Sequence, residues 1–401
     1  MANSTNSKHH KVLILGGGSG GLSVAARLRR ADKALDIAVV EPSRKHWYQP
    51  LWTLVGGGAA SFAETERDQA GLIPKGVEWI QDSVVGFEPE QRCVVLQGGQ
   101  RITYDQLVIA LGIQLDWHKT PGLVGAVGRD GVCSNYAREH VPYTWQAIKS
   151  FKGGQALFTH PSSPIKCGGA PQKIMYLADD AFRRQGLKAG DYAVHFHIAL
   201  PFSFAVKRYA DTLDRVIERR GIQPHYRHEL IELSTATKTA VFQHLDTKEV
   251  SQSRYDLIHV TPQMSGPDVL KASGLADASG WVQVDKHTLQ HVRLPNVWSL
   301  GDCSNLPTSK TGAAIRKQAP VLAANLLAVL SGATPSAKYD GYTSCPLVTG
   351  YGKLVLAEFD YDKNPQETFP FDQSKERWSM YQLKRHLLPH MYWTGMLKGR
   401  A

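Results

Sequence analysis

The sequence predicts an α/β protein with two βα domains in tandem, the second set into the first, and a separate C-terminal region. Three observations predict it. Residues 11–15 form a short apolar run that leads directly into Gly16-Gly17-Gly18-Ser19-Gly20-Gly21 and then an apolar-periodic stretch. Residues 156–159 and 174–184 repeat the strand-then-helix pattern around a different turn. Residues 297–300 form another apolar strand, which ends in Gly301-Asp302 and returns the chain to the first domain. The 401 residues are enough for two or three domains with cores of their own. The divisions expected are 1–143 for the first part of domain one, 144–280 for domain two, 281–337 for the rest of domain one and 338–401 for the C-terminal region.

The first unit has the dimensions of one βαβ crossover. Gly16, Gly18 and Gly21 supply G-x-G-x-x-G, and Glu41 stands at the end of the second strand, near residue 40. The glycines allow a tight turn, a close approach to a pyrophosphate and close helix packing. The helix N-terminus binds the diphosphate, and Glu41 accepts from a ribose hydroxyl. This unit binds a dinucleotide.

The second unit departs from that pattern. Its turn, residues 164–173, is Pro-Ile-Lys-Cys-Gly-Gly-Ala-Pro-Gln-Lys. Two prolines, a lysine and a cysteine stand where a second phosphate loop would lie. A helix N-terminus together with Lys166 and Lys173 would lower the pKa of the Cys167 thiol. A small buried cysteine is the other reading of the same residue.

Net charge is +10, from 46 Lys and Arg against 36 Asp and Glu. That balance favours anionic small molecules or membrane surfaces. No basic run is dense enough for a nucleic-acid arm, and no histidine and cysteine pair has zinc-ligand spacing, so neither nucleic acid nor a metal is expected. His195 and His197 alternate on an expected strand, where satisfied or exposed positions suit them. Five cysteines are too few and too scattered for a secreted disulfide framework. The N-terminus has no apolar h-region and no Arg-rich presequence, and no run approaches the roughly 20 apolar residues of a membrane span.

After the second domain, residues 311–330 are expected to be helical, with a break near Pro320. Cys345 precedes Pro346 in a turn-rich stretch, and two strand-like runs follow Lys338. In residues 375–393, helical spacing puts Trp378, Tyr381, Leu388, Met391 and Tyr392 on one face beside Lys384 and Arg385. Such a face suits a helix lying among lipid headgroups, or one packed on the core or on a second subunit.

Several blocks resemble the sulfide:quinone oxidoreductase family, of the type found in mitochondria and related bacteria. They are residues 16–21, 47–55 (Trp-Tyr-Gln-Pro-Leu-Trp-Thr-Leu-Val), 109–116, 167–177, 301–311, 340–350 and 368–377. The apolar strand ending in Gly112 and the one ending in Gly301-Asp302 also look like FAD elements of flavoprotein disulfide reductases, although Gly301-Asp302 alone fits an ordinary turn. The resemblance implies two tandem Rossmann-like domains with a C-terminal membrane-associating region. It implies FAD, held by Gly16, Gly18, Ser19, Gly20, Gly21, Glu41, Gln49, Val84, Asp302 and Lys310. It further implies a redox pair, Cys167 and Cys345, with Lys173 and Lys310 as charge and proton support. Hydrogen sulfide would be the donor, ubiquinone or another membrane quinone the electron acceptor, and glutathione, sulfite or cyanide the sulfur acceptor. A homodimer is compatible with it. Cys345 would carry the persulfide and Cys167 would face the flavin. Cys133 is either structural or a third working thiol; Cys93 and Cys303 fit packing positions. Mitochondrial members begin with a transit peptide and none is read here, so the expected location is the cytoplasmic face of a bacterial inner membrane in preference to the mitochondrial inner membrane. The alternative is a type II NADH:quinone dehydrogenase, which shares the fold and FAD but requires a second G-x-G-x-x-G.

Overall fold

The computed structural model describes residues 8–401. The N-terminal stretch in which no presequence is read falls mostly in residues 1–7, outside the described residues. In chain order, β1 (Lys8–Leu15), α1 (Ser19–Ala31) and β2 (Ile37–Val40) form the first βαβ half. Then come α2 (Trp52–Gly56), β3 (Glu78–Ile80), β4 (Val84–Glu88), β5 (Cys93–Leu96) and β6 (Arg101–Ile109). β7 (Val132–Cys133), α3 (Val141–Ser150), β8 (Gly154–His160), α4 (Ala170–Arg184), β9 (Tyr192–Ile198), α5 (Lys207–Arg220) and β10 (Gln223–Tyr226) follow. β11 (His228–Ser234), β12 (Thr239–His244) and β13 (Val250–Arg254) precede β14 (Leu257–His259). The chain closes with β15 (Val297–Ser299), α6 (Gly312–Leu330), β16 (Thr343–Gly350), β17 (Lys353–Phe359) and a helical tail from Trp378 to Lys398.

The first sheet runs β3-β2-β1-β6-β5-β4, with β15 added to β6. β6 needs its nine residues because its first half pairs with β5 and its last three residues pair with β15. β1, β2, β3, β6 and β15 are parallel along their shared registers, and Val12, Leu13, Ile14 and Leu15 are completely buried between helix layers. The second sheet is parallel throughout, in the order β7-β14-β8-β9-β10. β11, β12 and β13 form an antiparallel meander on it. Gly221, with φ +69, ends α5, as its place after Arg219-Arg220 predicts.

The hairpin of β16 and β17 stands between the two cores. Side chains alternate across a strand. Val348, Leu354 and Leu356 therefore join the first core, while Cys345, Leu347, Val355, Ala357 and Phe359 join the second.

Four expectations are corrected. α6 is continuous through Pro320, which is inside the helix. It is also long and apolar enough to cross a membrane, contrary to the expectation that no run approaches that length. Its Ile315, Ala319, Leu322, Ala323 and Leu326 instead pack in the first core, as a helix between layers does. Cys345 lies in a strand and not in a turn. The tail does not present one aromatic face. Two π-helical turns, Leu383–Leu387 and Met391–Gly395, break the 3.6-residue period. Tyr381 and Tyr392 are consequently buried on the first core, while Trp378 and Leu387 are 67% and 54% exposed.

His195 is satisfied as expected, its ring nitrogens 3.0 Å from His225 Nε2 and 2.7 Å from Gln155 Oε1, but His197 departs from the expectation. His197 is buried with neither ring nitrogen hydrogen-bonded, and its ring lies 3.6 Å from Phe242 and 4.4 Å from His225, centre to centre. Burial, and then His225, push His197 down to about 2, and burial pushes His259 down to about 3. The unfolded chain therefore takes up protons first as pH drops below 6.5. Each of these two buried rings then removes about 1.4 kcal/mol of stability per pH unit. Scanning calorimetry is expected to show Tm falling from pH 6.5 to 4.5, and His197→Leu should flatten that fall.

Candidate active site

The glycine-rich turn after β1 is shaped by close approaches. Gly16 has φ +99, and a Cβ on it would lie 2.3 Å from the Ala110 carbonyl oxygen; one on Gly21 would lie 1.9 Å from the Gly16 carbonyl oxygen. These two positions close the turn on β6 and on itself. A Cβ on Gly18 would meet nothing within 4 Å, and the same holds at Gly112. Gly18 thus borders open space at the N-terminus of α1, whose first residues are Ser19, Gly20 and Gly21. Glu41 accepts from the Gly17 and Ser43 amides at 2.8 Å each, and burial raises its pKa against those two bonds. Asp302 follows β15, and its buried Oδ1 has no partner. A dinucleotide needs an open cradle at a helix start, a carboxylate for the ribose and a second carboxylate further along, and these residues fit FAD on that ground. Val84 begins β4 at the sheet edge. Gln49 accepts from Lys166 at 2.8 Å, which ties the first domain to the second.

One partner of this cradle is absent from the sequence expectation. Tyr392, from the tail, is hydrogen-bonded to Ser19 Oγ at 2.7 Å and to His46 Nε2. His46 Nδ1 faces two acceptors, the Gly17 carbonyl and Gln69 Oε1, both at 3.2 Å, so Nδ1 carries the proton and Nε2 accepts from Tyr392. Burial holds His46 neutral, pushed down to about 4.

The thiols meet because of one glycine. Gly169 precedes α4, and a Cβ there would lie 2.4 Å from Leu347. Its absence lets β16 lie against the start of α4, and Cys345 shares the face of Leu347. Cys167 and Cys345 are free thiols, brought together across 178 residues. Cys167 has φ +53, a conformation that non-glycine residues adopt only under constraint. Its amide donates to the Lys310 carbonyl at 2.8 Å and its carbonyl accepts from Ala170. The hydrogen bond from Cys345 lowers the Cys167 thiol well below its ordinary value; burial opposes this, and Lys173, 3.0 Å from the sulfur, reinforces it. Cys345 moves the other way, because its thiol is the donor in that bond and is buried.

Of the expected lysines, Lys173 is buried at the sulfur. Lys166 does not serve the thiol: its ammonium is bound to Gln49 and lies 5.5 Å from the Trp52 ring centre, and burial lowers it to about 8. Lys310 stands 3.8 Å over the Trp281 ring and donates to the Asp302 and Ser304 carbonyls at 2.6 and 3.0 Å. Sequence reasoning placed Lys384 on the tail's polar flank. It is 3% exposed, donates to the Pro50 carbonyl at 2.9 Å, and is lowered to about 7 by burial and by Lys173, against the pull of both sulfurs. A lysine beside aromatic residues in a tail gave no sign of this, since the π turns that rotate it inward have no sequence signature. Cys133, Cys303 and Cys93 are 0%, 0% and 2% exposed, and burial pushes the Cys133 thiol up to about 12, which suits a structural residue. Among the described residues no cluster of His, Cys, Asp and Glu has metal-binding geometry.

The pyridine nucleotide-disulphide oxidoreductase profile matches residues 10–146. The mouse protein named sulfide:quinone oxidoreductase, mitochondrial, is 49% identical over 98% of this chain and 88% of its own length. The chain belongs to the sulfide:quinone oxidoreductase family. The family member from Dictyostelium discoideum, also named mitochondrial, is 48% identical over 97% of this chain and 86% of its own. The crystal structure of the Aquifex aeolicus member superposes with a TM-score of 0.84 at 19% identity, covering 98% of this chain and 92% of that one, which shows the shared fold. The chain is accordingly an FAD-dependent oxidoreductase with two tandem Rossmann-like domains. The mitochondrial names of these relatives give the expected bacterial inner-membrane location no support.

Two expectations test the site's parts. Gly18→Val should leave the fold intact, because its Cβ meets only open space, but should abolish FAD retention, as read from the flavin absorbance of the purified protein. Lys173→Met should move the Cys167 thiolate transition up by about one pH unit, as followed by thiolate absorbance or alkylation rate.

Proposed function

We propose that this chain oxidises hydrogen sulfide at the Cys167–Cys345 pair and delivers the electrons through FAD to a membrane quinone. The observation that carries this reading is the pairing of a stabilised thiolate with a high-pKa thiol, with Lys173 on the former. In the oxidised pair, HS⁻ attacks the disulfide. The S–S bond between the cysteines breaks, a new S–S bond forms to one of them as a persulfide, and the other leaves as a thiolate. The lower-pKa thiol is the better leaving group. This supports Cys167 as the released thiolate, held by Lys173, and Cys345 as the persulfide carrier. Bound FAD supplies the two-electron acceptor for the thiols and the donor to quinone.

The sulfur then passes to a nucleophile such as glutathione, sulfite or cyanide. A cavity of about 440 Å³ reaches Gly168 beside Cys167, and its walls include Lys310, Lys363, His160 and Trp281. Two cationic walls suit an anionic acceptor. The exposed Trp378 and Leu387 on the tail support an approach to quinone from a lipid surface. The dehydrogenase alternative is disfavoured at its own requirement. The amide of Cys167, in the second turn, is already spent on the Lys310 carbonyl and is not free for a pyrophosphate.

Anaerobic flavin spectra test the proposal. Sulfide is expected to bleach the flavin, a short-chain ubiquinone to restore it, and NADH to leave it oxidised. Cys167→Ser and Cys345→Ser should each slow reduction by sulfide roughly a thousandfold or more, the scale of losing a nucleophile. Reduction by NADH and not by sulfide would overturn the reading.

A further inference from the structure

The C-terminal tail reaches back to the glycine-rich turn at one buried point. Tyr392, in the second π turn, and His46 are each 4% exposed. The hydrogen bonds between them have a fixed direction. Gln69 Nε2 donates to the Gly17 carbonyl at 2.9 Å, so Gln69 Oε1 and the Gly17 oxygen both face His46 Nδ1 as acceptors. His46 gives its proton to that pair, and its Nε2 accepts from the Tyr392 hydroxyl. The phenol has one proton, so its oxygen accepts from Ser19 Oγ at 2.7 Å. Ser19, Tyr392, His46 and Gly17 thus form one line of bonds that leaves the turn on one side of Gly18 and returns to it on the other.

Gly18, between the two anchors, borders open space. Gly17 is held at its amide by Glu41 and at its carbonyl by His46 and Gln69. A run of glycines is otherwise costly to order, and a site ordered before its ligand arrives loses less freedom on binding. The amides of Ser19, Gly20 and Gly21 precede that of Leu22, which is bonded to the Gly18 carbonyl at 3.1 Å, so they have no acceptor inside α1. With the Ser19 hydroxyl proton committed to Tyr392, those amides are what the turn offers a diphosphate. The tail meets α1 again further on. A Cβ on Gly399 would lie 2.9 Å from the Arg27 amide nitrogen, and Met396 and Leu397 are buried in the first core. Packing therefore holds this stretch of tail against α1, and Tyr392 is where the contact reaches the turn.

We infer that Tyr392 is a positioning residue for FAD: through His46 and Ser19 it braces the glycine-rich turn in the form that takes the flavin's diphosphate, so that docking of the tail and retention of FAD are one linked equilibrium. The inference stands apart from the sulfide chemistry and rests on the glycine-rich turn as the seat of FAD. Linkage runs in two directions. The docked tail slows the loss of FAD, and bound FAD holds the tail down by the same factor. The tail, with its outward Trp378 and Leu387, is therefore docked most firmly on a flavin-loaded chain.

Tyr392→Phe keeps the ring against Tyr48, 4.6 Å away between centres, and removes both bonds of the brace. FAD release from the diluted holoenzyme, followed by the rise in flavin fluorescence, is expected to quicken about tenfold, the scale of one buried hydrogen bond. Hydrogen exchange gives the second readout. In the parent protein the amides of residues 388–398 should exchange about tenfold more slowly with FAD bound than after the flavin is stripped, and Tyr392→Phe should lose that difference. A tyrosine that only packs would loosen the tail equally with and without flavin and leave FAD release at the parent rate, and that result would overturn the inference. His46→Leu cuts the same line at its middle and should act in the same direction, so a folding defect in either variant leaves the other decisive. Parent-like FAD release in both, with FAD still lost from Gly18→Val, would sink the brace and leave the turn as the flavin's seat. Retention of FAD by Gly18→Val would overturn both.

Discussion

The contact on which the rest depends is the approach of β16 to the first turn of α4, made where Gly169 has no side chain and Leu347 fills the space. A two-stranded hairpin has no sheet neighbours to hold it. It is fixed here because its two faces enter different cores, Val348, Leu354 and Leu356 on one side and Leu347, Val355 and Phe359 on the other. The alternation that satisfies both cores also decides which way Cys345 points. A slip of one residue would turn the thiol away from Cys167 and expose the opposite set of apolar side chains to the wrong core. Thiol geometry and packing are thus specified by the same register.

The electrostatics follow from that meeting. Lys173 and Lys384 are both almost completely buried, and burying ammonium groups together is costly unless an anion accompanies them. A thiolate on Cys167 is that anion. It draws the Lys384 pKa upward while burial and Lys173 draw it down, and the balance near 7 leaves this lysine able to hold or yield a proton close to neutral pH. The thiolate and Lys384 are mutually dependent, and a change in one shifts the protonation of the other.

Much of the fold was legible in the sequence because its signals are local. The apolar run into Gly16, the spacing to Glu41 and the strand ending at Asp302 each carry their meaning within a few residues, and so does Gly221 at the end of α5. The unusual turn at Cys167 was also visible, since a missing phosphate loop is a local fact. What was not legible depended on distant contacts or on helical irregularity. Pro346 beside Cys345 suggested a turn, but a two-stranded ribbon tolerates proline at its edge. The expected aromatic face of the tail assumed a constant period, which two π turns break; the same turns carry Lys384 and Tyr392 inward.

The inner side of the tail belongs to the cofactor domain. Tyr392 is bonded to Ser19 at the start of α1, Arg385 to the Ala59 carbonyl and Glu64, and Lys384 to the Pro50 carbonyl. Its outer side carries Trp378 and Leu387. Such a segment works as a keel and not as a tether. Whatever surface settles against those two side chains takes up a fixed attitude to the flavin domain, because the keel cannot swing without opening the cradle of the glycine-rich turn. The distance from the flavin domain to that surface is then set by the dimensions of the folded body and not by the reach of a flexible arm.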